Sequence, residues 1–289
     1  MHLGDFVVRH LQAGTFYLDG GAMFGVVPKT LWEKKSPPDE RNRIKLAANV
    51  LLVRAADKNI LIETGNGAKW DAKLRQIYGI PEGDGLQTAL AQAGVKSKDI
   101  DIVINTHLHF DHAGGNTIPS GDRDTPAFPH AKYIVQREEL EHAQHPGERD
   151  RASYFPDRFG PISAAGQWQL VDGDVEIVPG ISVTRIPGHN LTIQAVKLTS
   201  GTRTLFFAAD LFPTRHHLYH GSWPTTYIPC RRWKRSESGW AKSSGRSGFS
   251  CLDTIPTTER RGCTNATARL NLSRWTSTGS FSGENGDGN

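Results

Sequence analysis

Three histidines and an aspartate fall within six consecutive residues, His107-Leu108-His109-Phe110-Asp111-His112, directly behind the apolar run Asp101-Ile102-Val103-Ile104-Asn105. Few features constrain a fold more. The apolar run reads as a buried strand, so its end must lie at a sheet edge where four coordinating side chains can turn toward one point. Histidine offers a neutral ring nitrogen to zinc, and aspartate adds a hard oxygen. A solvated polar loop seldom concentrates these residue types by chance. Gly114-Gly115 follows and reads as a tight turn into the next element.

The rest of the chain up to residue 212 alternates strands and helices. Asn49 to Arg54 and Asn59 to Thr64 read as two apolar strands joined by a polar turn containing Asp57 and Lys58. Trp70, Leu74 and Ile77 have the spacing of one helix face, which Gly79 and Pro81 would end. Leu86 to Ala93 predicts a second helix closed by Gly94. Tyr133 to Val135 predicts a strand leading into a polar helix from Arg137 to Gln144, stopped by Pro146. Asp174 to Val178 and Ile181 to Ile186 flank Pro179-Gly180, and Gln194 to Leu198 pairs with Thr204 to Ala209 around Ser200-Gly201. Strands joined by short turns and mixed with helices imply two sheets covered by helices on the outside.

Composition narrows the function. No stretch reaches the roughly 20 apolar residues of a membrane span, and no basic region followed by an apolar one opens the chain. Neither a membrane nor a signal peptide is expected, and a cytoplasmic location is. The net charge of +4 is not gathered on one element, since much of it lies in Arg231-Arg232-Trp233-Lys234-Arg235 and Arg260-Arg261. Nucleic acid is therefore not an expected partner. All three cysteines, Cys230, Cys251 and Cys263, come late. A disulfide framework is excluded for the main body, and a metal there must use histidine and carboxylate ligands.

The longer wording Thr106-His107-Leu108-His109-Phe110-Asp111-His112-Ala113-Gly114-Gly115-Asn116 resembles the metallo-β-lactamase superfamily, and within it the N-acyl-homoserine lactonase-like branch. The resemblance implies an α/β (α+β) fold, an αββα sandwich of two mixed β-sheets flanked by helices, with metals at one edge of the sheets. It also supplies partners for the first motif. His189, in Pro187-Gly188-His189 after a strand, matches the family's Gly-His motif, and Asp210, in Ala209-Asp210 at a strand end, matches its bridging aspartate. Taken alone, His189 reads as a surface or capping histidine and Asp210 as a strand-end turn residue; their order behind the first motif reverses both readings.

The implied site holds two zinc ions. One would sit on His107, His109 and His189, the other on Asp111 and His112, with Asp210 and a hydroxide shared. Asp111 is the implied catalytic residue, passing a proton to the leaving group. The expected partner is a small-molecule substrate with an ester, lactone or amide carbonyl. The alternatives are a thioester or glyoxalase-type hydrolase of the same fold, or a metal-binding protein left inactive by a missing ligand.

That missing ligand is specific. The family's second metal takes one more histidine at the end of a late strand, and no histidine follows His220. His216, His217 and His220 stand too close to Asp210 to match it. They read as pocket-rim or surface residues, with a substitute ligand as the alternative. Residues 1–228 read as one domain. Residues 229–289, rich in Ser, Thr, Arg and Gly without apolar periodicity, read as an irregular, disordered tail.

Read one base earlier with permissive codon choices, Cys230 to Pro256 becomes LPALEAKREWLGEVVGQEWLLVLGHDT. This string has an amphipathic helix, an apolar strand and a terminal His-Asp. The expectation is a frameshifted C-terminus, a sandwich incomplete there, and a weakened second metal.

Two further stretches are open at this level. Phe16 to Gly25 is a Gly-rich hairpin loop whose Met23 and Phe24 either overhang the metals or join the core. His130, His142 and His145 read as solvated residues beside a polar helix. Tyr154, Phe155, Phe159 and Trp168, in residues 137–168, shape a pocket wall or the core.

Overall fold

The structure is a computed structural model that describes residues 1–217. The expected domain limit at 228, the tail with its re-read frame, and His220 lie outside the described residues. Thirteen strands are described: β1 (His2–Leu3), β2 (Phe6–Asp19), β3 (Arg43–Ala55), β4 (Lys58–Ile62), β5 (Ile102–Ile104), β6 (Thr117–Ser120), β7 (Arg123–Pro126), β8 (Lys132–Gln136), β9 (Trp168–Val171), β10 (Val175–Val178), β11 (Ile181–Arg185), β12 (Gln194–Ser200) and β13 (Arg203–Phe207). The helices are α1 (Gly20–Phe24), α2 (Lys29–Trp32), α3 (Ala72–Tyr78), α4 (Gly85–Gln92), α5 (Phe110–Ala113), α6 (Arg137–Gln144) and α7 (Gly160–Ala164).

One sheet has seven strands in the order β1-β2-β3-β4-β5-β8-β9. It is antiparallel from β1 to β4 and parallel from β4 to β9. The second is an antiparallel meander, β10-β11-β12-β13. A separate ribbon pairs β6 with β7.

Successive side chains on a strand point to opposite faces. In β3 that sends Val50 and Leu52 to one core and Leu51 and Val53 to the other. In β4, Leu61 parts from Ile60 and Ile62 in the same way. The outer core packs this sheet against Leu86, Ala89 and Leu90 of α4. The inner core packs it against Ile181, Val183, Val196, Leu198, Leu205 and Phe207 of the second sheet. Burying each such aliphatic side chain contributes about 1.5–3 kcal/mol, which explains why strands apolar on both faces sit at the centre. The layering is the expected sandwich of sheets flanked by helices.

The Gly-rich stretch departs from the hairpin expectation. β2 runs through Asp19, whose carboxylate accepts from Ala22 N–H at 2.7 Å and starts α1. Met23 and Phe24 are buried in the outer core, with Phe24 stacked on Trp32. Gly20 permits this, since a Cβ there would stand 2.4 Å from the Trp32 ring. Trp70 lies just before α3 rather than on it, because Asp71 caps that helix through Leu74 N–H at 2.8 Å.

Candidate metal centre

The site is assembled where strands of both sheets end. β5 stops at Ile104, and the chain runs through Asn105 and Thr106 to His107 and His109, then enters α5 with Asp111 and His112. Gln194 N–H of β12 donates to Thr106 O at 3.0 Å, tying the second sheet to this loop. His189 follows β11, and Asp210 sits in a short turn behind β13.

The two glycines after α5 work by close approach, not by a tight turn. Gly114 has an ordinary φ of -58°, but a Cβ on it would meet Asn66 O at 2.1 Å. The loop of residues 64–67 therefore packs directly on α5, with Thr64 N–H donating to His112 O at 2.8 Å.

All six expected side chains come together. His107, His109 and His189 place one ring nitrogen each within 4.8 Å of one another, and so do His107, His112 and Asp210 with one ligand atom each. His109 Nδ1 lies 3.0 Å from His189 Nε2. Asp210 reaches both sides, with Oδ1 3.2 Å from His112 Nε2 and Oδ2 3.6 Å from His189 Nε2. Asp111 Oδ2 lies 3.5 Å from His112 Nε2. His107 is fully buried, and His109, His112 and Asp210 nearly so.

The donor set fits a metal. The buried Nε2 of His107 has no hydrogen-bond partner among the described residues, while its Nδ1 is held by the Thr106 hydroxyl at 3.0 Å. A ring steered through one nitrogen, with the other directed into a cluster of lone pairs, is how metal-ligating histidines are oriented. Crowding this many acceptors without a cation is costly.

Electrostatics separate the residues. Burial, reinforced by neighbouring histidines, holds His107 well below the usual histidine value of 6.5. Burial does the same to His109, with the charge on Asp210 opposing it. For His112, burial is outweighed by Asp111, Asp210 and Glu63, which raise it well above 6.5. The two aspartates part in opposite directions. Burial pushes Asp111 up, against the pull of His112. Asp210 is equally buried, but the charges and hydrogen bond of His112, with His189 and His109, hold it below the usual carboxylate range.

The structure adds residues that sequence reasoning missed. Glu63 is buried, takes Thr106 N–H at 3.1 Å, and stands 3.4 Å from His112 Nδ1. Glu139 of α6 is fully buried beneath the His107–His109 loop and accepts Leu108 N–H at 2.7 Å. Glu63 (φ 68°) and Ala209 (φ 44°) adopt left-handed backbone beside the site, the kind of strain that gathers at functional positions. A charged residue ending the apolar run Ile60-Leu61-Ile62 was the visible signal for Glu63. Glu139 lies four residues before the buried Ala143, on the buried face of α6.

Other expectations change. His216 and His217 are buried rather than on the surface. His217 stacks on Phe24 with ring centroids 4.7 Å apart, and its Nε2 meets Met23 O at 2.9 Å. His142 is not simply solvated: it pairs with Asp150 at 2.7 Å and packs against Tyr154. His130 and His145 are exposed. Tyr154 and Phe159 belong to the core, and Phe155 stands beside Phe110 and Trp70.

The family model of the Metallo-beta-lactamase superfamily matches residues 43–238. The chain belongs to the metallo-β-lactamase superfamily. Among solved structures, this superfamily member is similar to a probable metal-dependent hydrolase from Staphylococcus aureus, with a TM-score of 0.78 and 30% identity, covering 88% of this chain and 90% of that one. It is also similar to a quorum-quenching N-acyl homoserine lactone lactonase, with a TM-score of 0.57 and 25% identity over 76% of this chain and 78% of that one. Among curated proteins, an N-acyl homoserine lactonase of Bacillus cereus is 35% identical over 159 residues, 52% of this chain and 57% of the relative. The match thus spans little more than half of that relative's length. No helix among the described residues is long and apolar enough to cross a membrane.

Proposed function

We propose that this chain is a metal-dependent hydrolase of a small-molecule ester, lactone or amide, with lactones the favoured class. One observation carries the reading: His107, His109, His112, His189 and Asp210, drawn from three chain segments, bring their ligand atoms into one buried cluster. The lactonases among its relatives and the wording of its first motif support lactone as substrate.

His107, His109 and His189 would hold one zinc ion, and Asp111 and His112 a second, with Asp210 between them. When bound, such a pair lowers the pKa of a shared water toward neutrality and polarises the substrate carbonyl. The chain's own groups do the remainder. Asp210, held ionised by its histidines, keeps the two halves of the cluster together. Ring opening adds water across the acyl C–O bond: the water oxygen enters the new carboxyl group, and a proton must reach the departing alkoxide. Asp111, 3.5 Å from His112 in the cluster, would carry it. The half-buried rings of Trp70, Tyr78 and Phe155 pack around Phe110, next in the chain to Asp111, and present apolar surface there.

A second reading is a metal-binding protein without turnover, favoured by the absence of any histidine after His220. We propose that residues 229–289 are a frameshifted reading whose restored form ends an apolar strand in His-Asp. Sequencing the gene across codons 220–235 decides this point, and a single intact frame would overturn it. Metal content per chain, measured with hydrolysis of a lactone panel on this chain and its frame-restored form, tests the function. Two metals with turnover support the hydrolase; one or none, without turnover in either form, supports the second reading.

A further inference from the structure

Glu139 belongs to no ligand set, yet its carboxylate is more completely engaged than any other near the cluster. It is wholly buried, and four donors meet it: Leu108 N–H at 2.7 Å and the Tyr154 hydroxyl at 3.1 Å on Oε1, Asn190 Nδ2 at 3.1 Å and the Thr192 hydroxyl on Oε2. The donors come from three separate segments, each bearing on a histidine. Leu108 lies between His107 and His109. Asn190 is the neighbour of His189. Tyr154 stands edge-on against the His109 ring, with centroids 4.6 Å apart. The nearby His142 is itself paired with Asp150.

We propose that Glu139 is a positioning residue that clamps the His107–His109 loop to the His189 loop, setting the spacing of the three imidazoles for a divalent cation. The inference rests on the reading above only in that these three histidines hold a metal. A carboxylate suits the task because it is purely an acceptor, with lone pairs enough for four donors in one plane. An amide of the same shape does not. In Glu139→Gln the NH2 group would face either Leu108 N–H, a backbone donor that cannot reverse, or the Asn190 amide. Asn190 is fixed too, because its Oδ1 already accepts Thr192 N–H at 3.0 Å and Ile193 N–H at 2.6 Å. In either orientation one donor opposes another, and the two loops separate.

The test uses the full chain. Zinc affinity is measured by competition with a chromophoric chelator, the environment of the metal by the visible absorption of the cobalt-loaded protein, and the fold by thermal melting of the metal-free protein. Loss of a group that orients metal ligands weakens binding by about 10–100-fold. Glu139→Gln should weaken the tighter zinc within that range and alter the cobalt bands. Tyr154→Phe and Thr192→Val, which each remove one donor, should give smaller losses in the same direction, and they carry the test if Glu139→Gln does not fold. Unchanged zinc affinity in all the folded variants, whatever happens to melting, would reduce Glu139 to a structural residue and overturn the proposal. If the unsubstituted chain takes up no zinc, the hydrolase reading itself falls and the clamp with it. If that chain binds zinc and the variants bind equally, the clamp alone falls.

Discussion

On one side of the cluster stand the imidazoles of His107, His109 and His189, the first two kept below the usual histidine value chiefly by burial. On the other side, His112 stands among the carboxyl groups of Asp111, Asp210 and Glu63, which raise it. The first side is braced from two directions, by Thr106 on the His107 ring and by Glu139 between the loops. The second has Glu63 behind His112, and the last histidine its family would bring does not occur in the sequence. The difference teaches that ligand count and readiness are separate properties. Imidazoles kept neutral by burial, such as His107 and His109, wait for a cation at little electrostatic cost, whereas a histidine among carboxylates is already satisfied by a proton, which a metal must displace.

The sharpest way to break this comparison is to delete a ligand from the braced side. His189→Ala should abolish binding of the tighter zinc and lower kcat/KM by more than a hundredfold, because a metal contributes several kcal/mol of charge stabilisation at the carbonyl. Metal analysis and lactone hydrolysis check it together. Retained tight zinc in His189→Ala would show that the three histidines do not act as one site.

Removing the brace of the other side should cost less. Glu63→Gln leaves His112 in place but takes away the carboxylate 3.4 Å from its Nδ1. The expected result is about 10–100-fold weaker binding of the second zinc, with the tighter zinc unaffected. Chelator competition resolves the two classes. Equal weakening of both would mean that Glu63, through its bond to Thr106 N–H, serves the whole loop and that the halves are not independent.

How much of this was legible beforehand depends on what each residue's role requires. The cluster from His107 to His112 could be read because four coordinating side chains crowd behind one apolar strand, a local property. The double-faced strands β3 and β4 could be read for the same reason. His189 and Asp210 are single residues in ordinary contexts, and only their order behind the first motif made them candidates. Glu63 and Glu139 stayed hidden because their meaning lies in burial and in partners distant in sequence, such as Asn190 and Thr192 for Glu139. The Gly-rich stretch misled because Gly20 is a contact requirement imposed by Trp32, not a turn signal. The length of β2 was hidden by a bulge between Gln12 and Thr15 that breaks its alternation.

The smallest effect separates the two halves by their protons. Zinc takes only the unprotonated imidazole, so each ligand that begins protonated must lose a proton on binding. His107 and His109, held below 6.5 in the metal-free protein, are already neutral at pH 7 and release none. Neither therefore adds to the pH dependence of zinc affinity between about pH 7 and 8. His112, raised well above 6.5, begins protonated. Binding on its side must displace that proton, and affinity should rise about tenfold per pH unit until the pH passes the metal-free value of His112. Calorimetric titration of zinc in two buffers of different ionisation enthalpy counts the protons directly: about one released from His112 with the second zinc, absent in His112→Ala. No proton released from His112 would mean that the carboxylates around it do not hold its proton, and the electrostatic contrast between the halves would fail while their geometry stood.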